Sequence, residues 1–499
     1  MAVTGGDAMN GRVKKVWSTY FPYVLGICGN AALNIVLISL LTHRLVPAVY
    51  GSYVVSMTAV VLSSSVVGQW LQQATGRYLA GVTAAASSYT KAAVLLGIGG
   101  ILAVLAVFYI VTALIGILDS RLVDGLWLID IAAIAAQTLF SLAGSALQAG
   151  QRAWAYALQQ TCAGALKIGL SELVCQMSSQ DVGALIYAYA VAQLVGAAYG
   201  AWHAGFFHRD VLRRLGSRRA KLVFHKLRIY GGAMTVWFVF MNLAMYLDRL
   251  LIRGLGGATM AGLYGAASTL VVGSVSLVMA PILAATWPQL MVAWNMRNEQ
   301  VAARLLGDLL TWLLCAGAAL VALVNAVADP ATRLLLGDRF AAASTLLPLL
   351  AASAFSFSLG PFFHKPLEFK EKKIAMCLFA AAALLLHGLL SVLLTPWLGG
   401  VGAGTAALIA GSAYCVLCAV YGRKIVRWRV RTNLLAVIAV LAAMTSLAAR
   451  RISASWHIES NLGSFVAAGA TFAVIFGVAL AVTVMLHIAR RRPRIPAIK

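Results

Sequence analysis

Residues 92–118 read AAVLLGIGGILAVLAVFYIVTALIGIL, a segment without a charged side chain. A helix of about 20 residues crosses a hydrocarbon layer of about 30 Å, and this segment is longer than that. Residues 46–75 form a second uncharged stretch of sufficient length. The first apolar run, 20–42, is too long for the core of a signal peptide. We therefore predict that all three are retained membrane-spanning helices.

The composition extends this prediction to the whole chain. Of its 499 residues 61% are apolar and 11% are charged, and the mean hydropathy is +0.87, whereas soluble domains carry about 25% charged residues. Hydropathy and turn residues predict about fourteen spanning helices, at 20–43, 48–73, 92–117, 125–148, 154–177, 183–207, 228–248, 260–287, 305–327, 341–363, 374–395, 400–422, 432–449 and 462–488. The predicted class is an all-α polytopic membrane protein.

The basic residues behind the net charge of +24 lie mainly on one side of the predicted membrane topology. On the fourteen-helix frame, 30 of the 39 Lys and Arg residues lie on the side of the termini and 8 on the other side, with Lys167 inside the fifth helix. The positive-inside rule then places both termini in the cytoplasm, and we expect a multi-pass protein of the cell inner membrane. Basic clusters that alternate loop by loop argue against nucleic acid and favour contact with anionic lipid headgroups. The largest clusters are 209–228, 365–373, 423–431 and 490–499.

Chemistry at a catalytic or metal site is not indicated. All seven cysteines fall within apolar runs or at their ends, and the Cys415-x-x-Cys418 pair lies inside an apolar helix, so packing is favoured over redox chemistry. The sequence holds no P-loop, H-E-x-x-H or G-x-S-x-G motif. We expect no metal, no cofactor and no enzymatic activity.

Weak internal similarity indicates two lobes. Gly51 and Tyr53 recur as Gly262 and Tyr264, and the segment around Lys167 recurs around His387. Six helices in each repeat make the lobes parallel, with the substrate path between them. The predicted division is an N-terminal lobe at 1–208, a basic cytoplasmic linker at 209–227, a C-terminal lobe at 228–424, and two added helices with a basic cytoplasmic tail at 425–499.

Six short motifs follow one another along the chain. They are LTHRLVPAVYGSY at 41–53, TGRY at 75–78, DRLLIR at 248–253, AGLYGAA at 261–267, LGDRF at 336–340 and PWLGGVGAGTAA at 396–407. In this order the chain resembles the polysaccharide transporter family of the multidrug, oligosaccharidyl-lipid and polysaccharide flippase superfamily. The resemblance implies alternating-access transport of a polyprenyl-pyrophosphate-linked oligosaccharide from the cytoplasmic to the periplasmic leaflet, for surface polysaccharide synthesis. It also implies a polysaccharide polymerase or chain-length regulator as a partner.

Residues with charge inside the membrane are the candidate substrate site. Lys167 lies near the bilayer middle, where a charge is costly unless it faces a cavity or a partner. Glu172 is five residues further along, a poor spacing for a pair within one helix. His387 is the repeat partner of Lys167, and Arg77 at the end of helix two has the donor geometry to take an incoming pyrophosphate.

Three further residues are predicted to have structural or gating roles: Asp248, Arg249 and Arg44, at helix ends on the periplasmic side. Each candidate site residue also has a purely structural interpretation. Lys167 could extend its ammonium group to the membrane interface, Arg77 could fix the membrane topology, and His387 could be a hydrogen-bonded core histidine. Two other functions remain open, a small-molecule or drug antiporter on the same fold and, less favoured because the outer loops are short, a membrane glycosyltransferase or ligase.

Overall fold

The computed structural model describes residues 5–80, 83–118, 125–178, 180–295, 299–455 and 460–491. The helices in chain order are α1 (Gly5–Arg44), α2 (Pro47–Leu79), α3 (Ala84–Leu118), α4 (Gly125–Ala149), α5 (Ala153–Met177), α6 (Val182–Ala204), α7 (Arg209–Arg213), α8 (Arg218–Asn295), α9 (Glu299–Leu336), α10 (Leu347–Phe363), α11 (Lys365–Phe369), α12 (Lys373–Arg423), α13 (Thr432–Ser455) and α14 (Asn461–Arg491). A 3₁₀ segment, Asp338–Thr345, precedes α10. Every regular element in these ranges is helical, as predicted.

Eleven helical segments in the described part of the chain are long and apolar enough to cross a membrane. Those in α8 and α12 each contain a sharp bend, at Gly257 (φ 80°) and Gly399 (φ 57°). Glycine adopts such positive φ values without a steric penalty. Each of these long helices therefore supplies two of the spans predicted from the sequence, and the chain is an all-α, multi-pass membrane protein.

The bend in α8 makes a helical hairpin. On either side of Gly257, the guanidinium of Arg249 donates to the hydroxyl of Ser268 at 2.9 Å, and the hydroxyl of Tyr264 donates to the carboxylate of Asp248. Such contacts across the bend require the two halves of α8 to run side by side. The predicted fifth span is present as α5, although it is too polar to count among the eleven.

The predicted basic linker at 209–227 is not an irregular loop. Most of it is helical, as α7 and as the start of α8 at Arg218. Hydropathy could not reveal this helix, because a helix at a membrane surface needs no long apolar run. Arg and Lys are nevertheless good helix formers. The helix α1 likewise begins at Gly5, well before the predicted start at residue 20. The end of the predicted basic tail, 492–499, lies outside the described residues.

Helix packing follows the same pattern in both parts of the chain. In the first part α1 packs on α5 and α4 packs on α6; in the second part α8 packs on α12 and α10 packs on α12. The helices α13 and α14 pack on each other and on α9. The contacts between α2 and α8 join the first part to the second. The lobe boundaries themselves stay a prediction.

The backbones of α2 and α8 come into contact at two glycine positions. A Cβ atom added at Gly51 would collide with the carbonyl oxygen of Ala258, and one added at Gly262 would collide with the carbonyl oxygen of Pro47. The two backbones can approach this closely only because neither position carries a side chain. Gly51 and Gly262 are partners in the predicted repeat, and residues close to a two-fold axis are expected to meet their partners in this way.

Candidate functional site

A cavity of about 550 Å³ lies between α1, α2, α4, α5, α6 and the hairpin of α8. Most of its lining comes from the first half of the chain, and much of that lining is polar. The uncharged polar side chains are Asn30, Asn34, Thr58, Gln72, Gln137, Ser141, Ser145, Gln148, Gln160, Gln193, Thr269 and Ser276. Two cations, Lys167 and Arg249, complete the set, and no carboxylate is found among the described lining residues. The cavity is therefore cationic.

Lys167 is held in the wall of this cavity by α5. Its side chain is 8% exposed, and Nζ donates to Oδ1 of Asn34 on α1 at 2.8 Å. The same Nζ lies 5.6 Å from the ring centroid of Tyr189 on α6. An amide oxygen and an aromatic face orient the ammonium group but do not neutralise it. Lys167 thus presents a positive charge to the cavity.

A network of neutral side chains supports the position of Tyr189. Its hydroxyl donates to Oε1 of Gln137 on α4 at 2.5 Å, and Nε2 of Gln193 donates to both of these groups. Because the network uses amides and a phenol, it adds hydrogen-bonding capacity to the cavity without adding charge. Hydroxyl-rich molecules are bound by groups of this kind.

Arg249 is the second cation, and it is supplied by α8. Its side chain is 8% exposed, its guanidinium lies 5.0 Å from the ring centroid of Tyr246, and its Nε has no partner among the described residues. Asp248 accepts from the backbone N–H of Arg249 and from Tyr264, and the two neighbouring side chains form no ion pair in the described part of the chain. The charge of Arg249 is therefore also available to the cavity.

Glu172 and Arg44 bind each other away from the cavity lining. Their Oε1 and Nη2 atoms are 2.5 Å apart, and both side chains are partly exposed. Glu172 also accepts from Gln176 at 3.1 Å. The pair links α5 to the end of α1 and leaves Lys167 without a carboxylate partner, which agrees with the poor spacing predicted for Lys167 and Glu172.

Arg77 and His387 also lie outside the cavity lining. Arg77 is exposed at the end of α2, where its guanidinium lies 4.4 Å from the ring centroid of Tyr230 on α8. His387 is fully buried, and its Nδ1 lies 2.7 Å from the carbonyl oxygen of Ala244, so Nδ1 carries the hydrogen. The structure places Lys167 in one cavity with Arg249 rather than with Arg77 or His387, whose substrate roles stay predictions.

The contacts of Lys167 and His387 correspond between the two halves. Lys167 reaches from α5 to α1, and His387 reaches from α12 to the first half of α8. In the predicted repeat these are the same pair of helices in each lobe, the fifth with the first and the eleventh with the seventh. One lobe places a cation at this position, and the other places a buried ring.

The parts of the protein on either side of the cavity touch at both of its ends. At one end Tyr50 and Phe340 meet edge to face with ring centroids 5.7 Å apart, next to the Gly51–Gly262 crossing. We call Tyr50, Gly51, Gly262 and Phe340 the glycine seal. At the other end, Gly231 of α8 packs on the backbone of Trp70 near the end of α2.

A second cavity of about 640 Å³ lies between α9, α10, α12 and α13. Its lining is mainly aliphatic, with Val321, Leu359 and Leu408 among the side chains. Asn325 and Ser446, which are hydrogen-bonded to each other at 2.9 Å, are among its few polar members. This cavity suits a hydrocarbon chain, whereas the first suits an anion with hydroxyl groups.

Comparison with known proteins reveals similarity in structure rather than in sequence. No protein-family model matches the chain, and no curated protein matches its sequence. The lipid II flippase MurJ in an inward closed conformation matches with a TM-score of 0.69 at 13% identity, over 95% of this chain and 100% of that one. An inward-facing multidrug resistance MATE transporter of the MOP superfamily matches with 0.61 at 14% identity, over 81% and 95% of the two chains.

A eukaryotic MATE transporter matches with a TM-score of 0.59 at 13% identity, over 87% of this chain and 99% of that one. These matches each cover more than four fifths of the chain. The chain therefore has the fold of the lipid II flippase MurJ and of these MATE transporters, which is consistent with the resemblance that its sequence motifs carry.

Proposed function

We propose that this protein is a flippase that moves a polyprenyl-pyrophosphate-linked oligosaccharide from the cytoplasmic to the periplasmic leaflet of the inner membrane. The product would serve the synthesis of a surface polysaccharide such as O-antigen, capsule or exopolysaccharide. The observation that carries the proposal is the cavity lined by α1, α2, α4, α5, α6 and α8, which contains Lys167 and Arg249 but no lining carboxylate among the described residues.

The chemistry of the cavity matches each part of this substrate. A pyrophosphate cannot cross about 30 Å of hydrocarbon without groups that replace its hydration. Lys167 and Arg249 supply charge, and the guanidinium of Arg249 also has the donor geometry for phosphate oxygens. The amides near Tyr189 suit sugar hydroxyls, and the aliphatic cavity beside α13 suits part of the prenyl chain.

The contacts at the two ends of α2 support transport by alternating access. The contact at Trp70 would open to admit cargo from the cytoplasm, and the glycine seal would open to release it. Export of an anion from a cytoplasm that is electrically negative is favoured by about 2.3 kcal/mol per charge per 100 mV. The protein then has to lower the barrier in the membrane middle, where Lys167 lies.

A drug or small-molecule cation antiporter on the same fold is the second candidate function. The structural similarity to MATE transporters is the observation in its favour. An antiporter for cations would be expected to use carboxylates in its central cavity, whereas this cavity presents two cations. On electrostatic grounds the anionic cargo is favoured.

The orientation and the partners complete the proposal. The charge asymmetry of the loops supports cytoplasmic termini. A flipped oligosaccharide must be consumed in the periplasmic leaflet, so a polymerase or a chain-length regulator is the expected partner.

The proposal is tested by substituting Lys167 in cells that depend on this protein for export. We expect Lys167→Arg to retain partial export, Lys167→Gln to lose most of it, and Lys167→Glu to abolish it through repulsion of the pyrophosphate. The measurement is the amount of lipid-linked oligosaccharide left in the cytoplasmic leaflet, normalised to the amount of inserted protein. Efflux of a cationic dye is measured in parallel.

Two results would contradict the proposal. Wild-type export by Lys167→Gln would mean that the cavity cation does not act on cargo. Active efflux of the cationic dye, increased by Lys167→Gln, would instead identify a cation antiporter.

A further inference from the structure

The segment 424–431, which joins α12 to α13, lies across the start of α9, and we call it the basic strap. Its side chains alternate from Val426 to Arg431, because Val426 and Trp428 are each 3% exposed whereas Arg427, Arg429 and Arg431 are exposed. This alternation is typical of an extended segment with one face buried. The arginines therefore form a row on one face, spaced by about 7 Å.

The strap is fixed to the helices beneath it. The backbone of Arg429 packs so closely on Gly307 of α9 that a Cβ atom there would overlap it, and the backbone N–H of Arg431 donates to Oγ1 of Thr311 at 3.2 Å. The ring of Trp428 covers Gly422. The row of arginines is therefore held at a set position against α9 by backbone contacts that do not involve the guanidinium groups.

A pocket of about 680 Å³ opens between the strap and the start of α9. Five basic residues line it, together with two acidic residues, Glu299 and Asp308. The basic residues are Arg304, Lys424, Arg427, Arg429 and Arg431. Asp308 is bound to Arg431 at 2.7 Å, and no carboxylate among the described residues forms an ion pair with the other four. The pocket therefore has a surplus of positive charge.

The surroundings of the pocket favour a lipid as its ligand. The parts of α9 and α13 next to the strap carry exposed apolar side chains. Leu305 of α9 is 38% exposed and Val437 of α13 is 45% exposed. Acyl chains attached to a phosphate in the pocket would therefore lie directly on an apolar helix surface. Free phosphate would make no use of that surface. We propose that the basic strap binds the phosphodiester headgroup of an anionic phospholipid whose acyl chains lie along α9 and α13.

The experiment uses the full-length protein in detergent, and it measures thermal unfolding as phosphatidylglycerol or phosphatidylcholine is added. We expect phosphatidylglycerol to raise the Tm of the wild type. The Arg427→Gln/Arg429→Gln variant should need about tenfold more of this lipid for the same rise, because each basic group near an anionic headgroup contributes to its binding. Phosphatidylcholine and inorganic phosphate should leave the Tm of all variants unchanged.

The matched control is Arg213→Gln/Arg218→Gln, which removes two exposed arginines at the end of α7 and the start of α8. It should respond like the wild type. If the strap variant responds like the wild type, if both pairs lose the response equally, or if inorganic phosphate gives the same rise, the proposal is wrong. Should the strap variant not fold, Asp308→Asn provides the test, because it frees Arg431 and must lower the concentration of phosphatidylglycerol required.

Discussion

At the scale of single residues, the position of Lys167 follows from what its neighbours are already bound to. Glu172 is the nearest carboxylate along α5, and it is paired with Arg44 at 2.5 Å. Lys167 instead bonds to the amide of Asn34. A buried charge without an opposite charge costs several kcal/mol, so an anion that enters the cavity removes a cost which the empty protein bears.

Asn34 offers a way to neutralise Lys167 without removing it. Asn34→Asp places a carboxylate where an amide oxygen now lies 2.8 Å from Nζ, so the cation should pair internally and no longer attract cargo. We expect at least a tenfold loss of export, equal to about 1.4 kcal/mol or more. The control is Asn34→Ser, which keeps the site neutral. The accumulation assay used for Lys167 measures both variants, and equal export by the two would contradict this account.

Arg249 shows what a sequence cannot reveal at this scale. Asp248 and Arg249 are adjacent, and the sequence analysis gave both the same structural or gating role. Adjacent residues on a helix point about 100° apart and do not face each other, so Asp248 reaches Tyr264 while Arg249 faces the cavity. Lys167 was easier to predict, because an isolated charge in the middle of an apolar helix is informative by itself.

At the scale of helices, the membrane spans were predictable from long apolar runs separated by turn residues. The sharp bends at Gly257 and Gly399 fall in the gaps between predicted spans, after 228–248 and after 374–395, and their positive φ values favour glycine. The helices at the membrane surface were not predictable in this way. Nothing in the pattern of 209–227 distinguishes a basic helix from a basic loop, since both are polar and neither crosses the bilayer.

The Gly51–Gly262 crossing yields a prediction at this scale. Gly262→Ala puts a methyl group into the carbonyl oxygen of Pro47, so α2 and α8 must separate, and overpacking of this kind costs about 1–3 kcal/mol. We expect a lower Tm in thermal unfolding of the purified protein. Gly254→Ala on the same helix is the matched control, because no atom lies within 4 Å of its added Cβ. If both variants unfold like the wild type, the crossing is not tightly packed.

At the scale of the whole molecule, α2 contacts α8 at both ends of the cavity. The glycine seal holds the two helices together at one end, and the packing of Gly231 on Trp70 holds them together at the other. In the proposed alternating-access cycle, these contacts would break one at a time. The structure therefore corresponds to one state of the proposed cycle, with both contacts made.

Cross-linking tests this requirement. In a background without native cysteines, Ser52→Cys/Arg253→Cys would bridge the glycine-seal end, where these side chains now bond at 2.9 Å. Tyr78→Cys/Tyr230→Cys would bridge the other end, where the two ring centroids are 5.8 Å apart. With a short reversible cross-linker, either bridge should stop export, and reduction should restore it. Continued export with one end bridged would show that the lobes need not separate there.

The sequence was therefore sufficient for the class, the spans and one of the two cavity cations. Membrane insertion imposes strong patterns on a chain, and those patterns are visible locally. The cavity is not visible in the same way, because it depends on how helices rotate about their axes. The pairing of Glu172 with Arg44 and the availability of Arg249 both follow from such rotations, as does the position of the basic strap on α9.

The unneutralised cations of the cavity have a consequence for the return half of a transport cycle. After release the empty protein must face the cytoplasm again, and it then carries positive charge toward the electrically negative side. The membrane voltage favours this movement, just as it favours the departure of the anion. A carrier built in this way would be reset by the same electrical gradient that empties it, and its turnover would depend on voltage even when no cargo is bound.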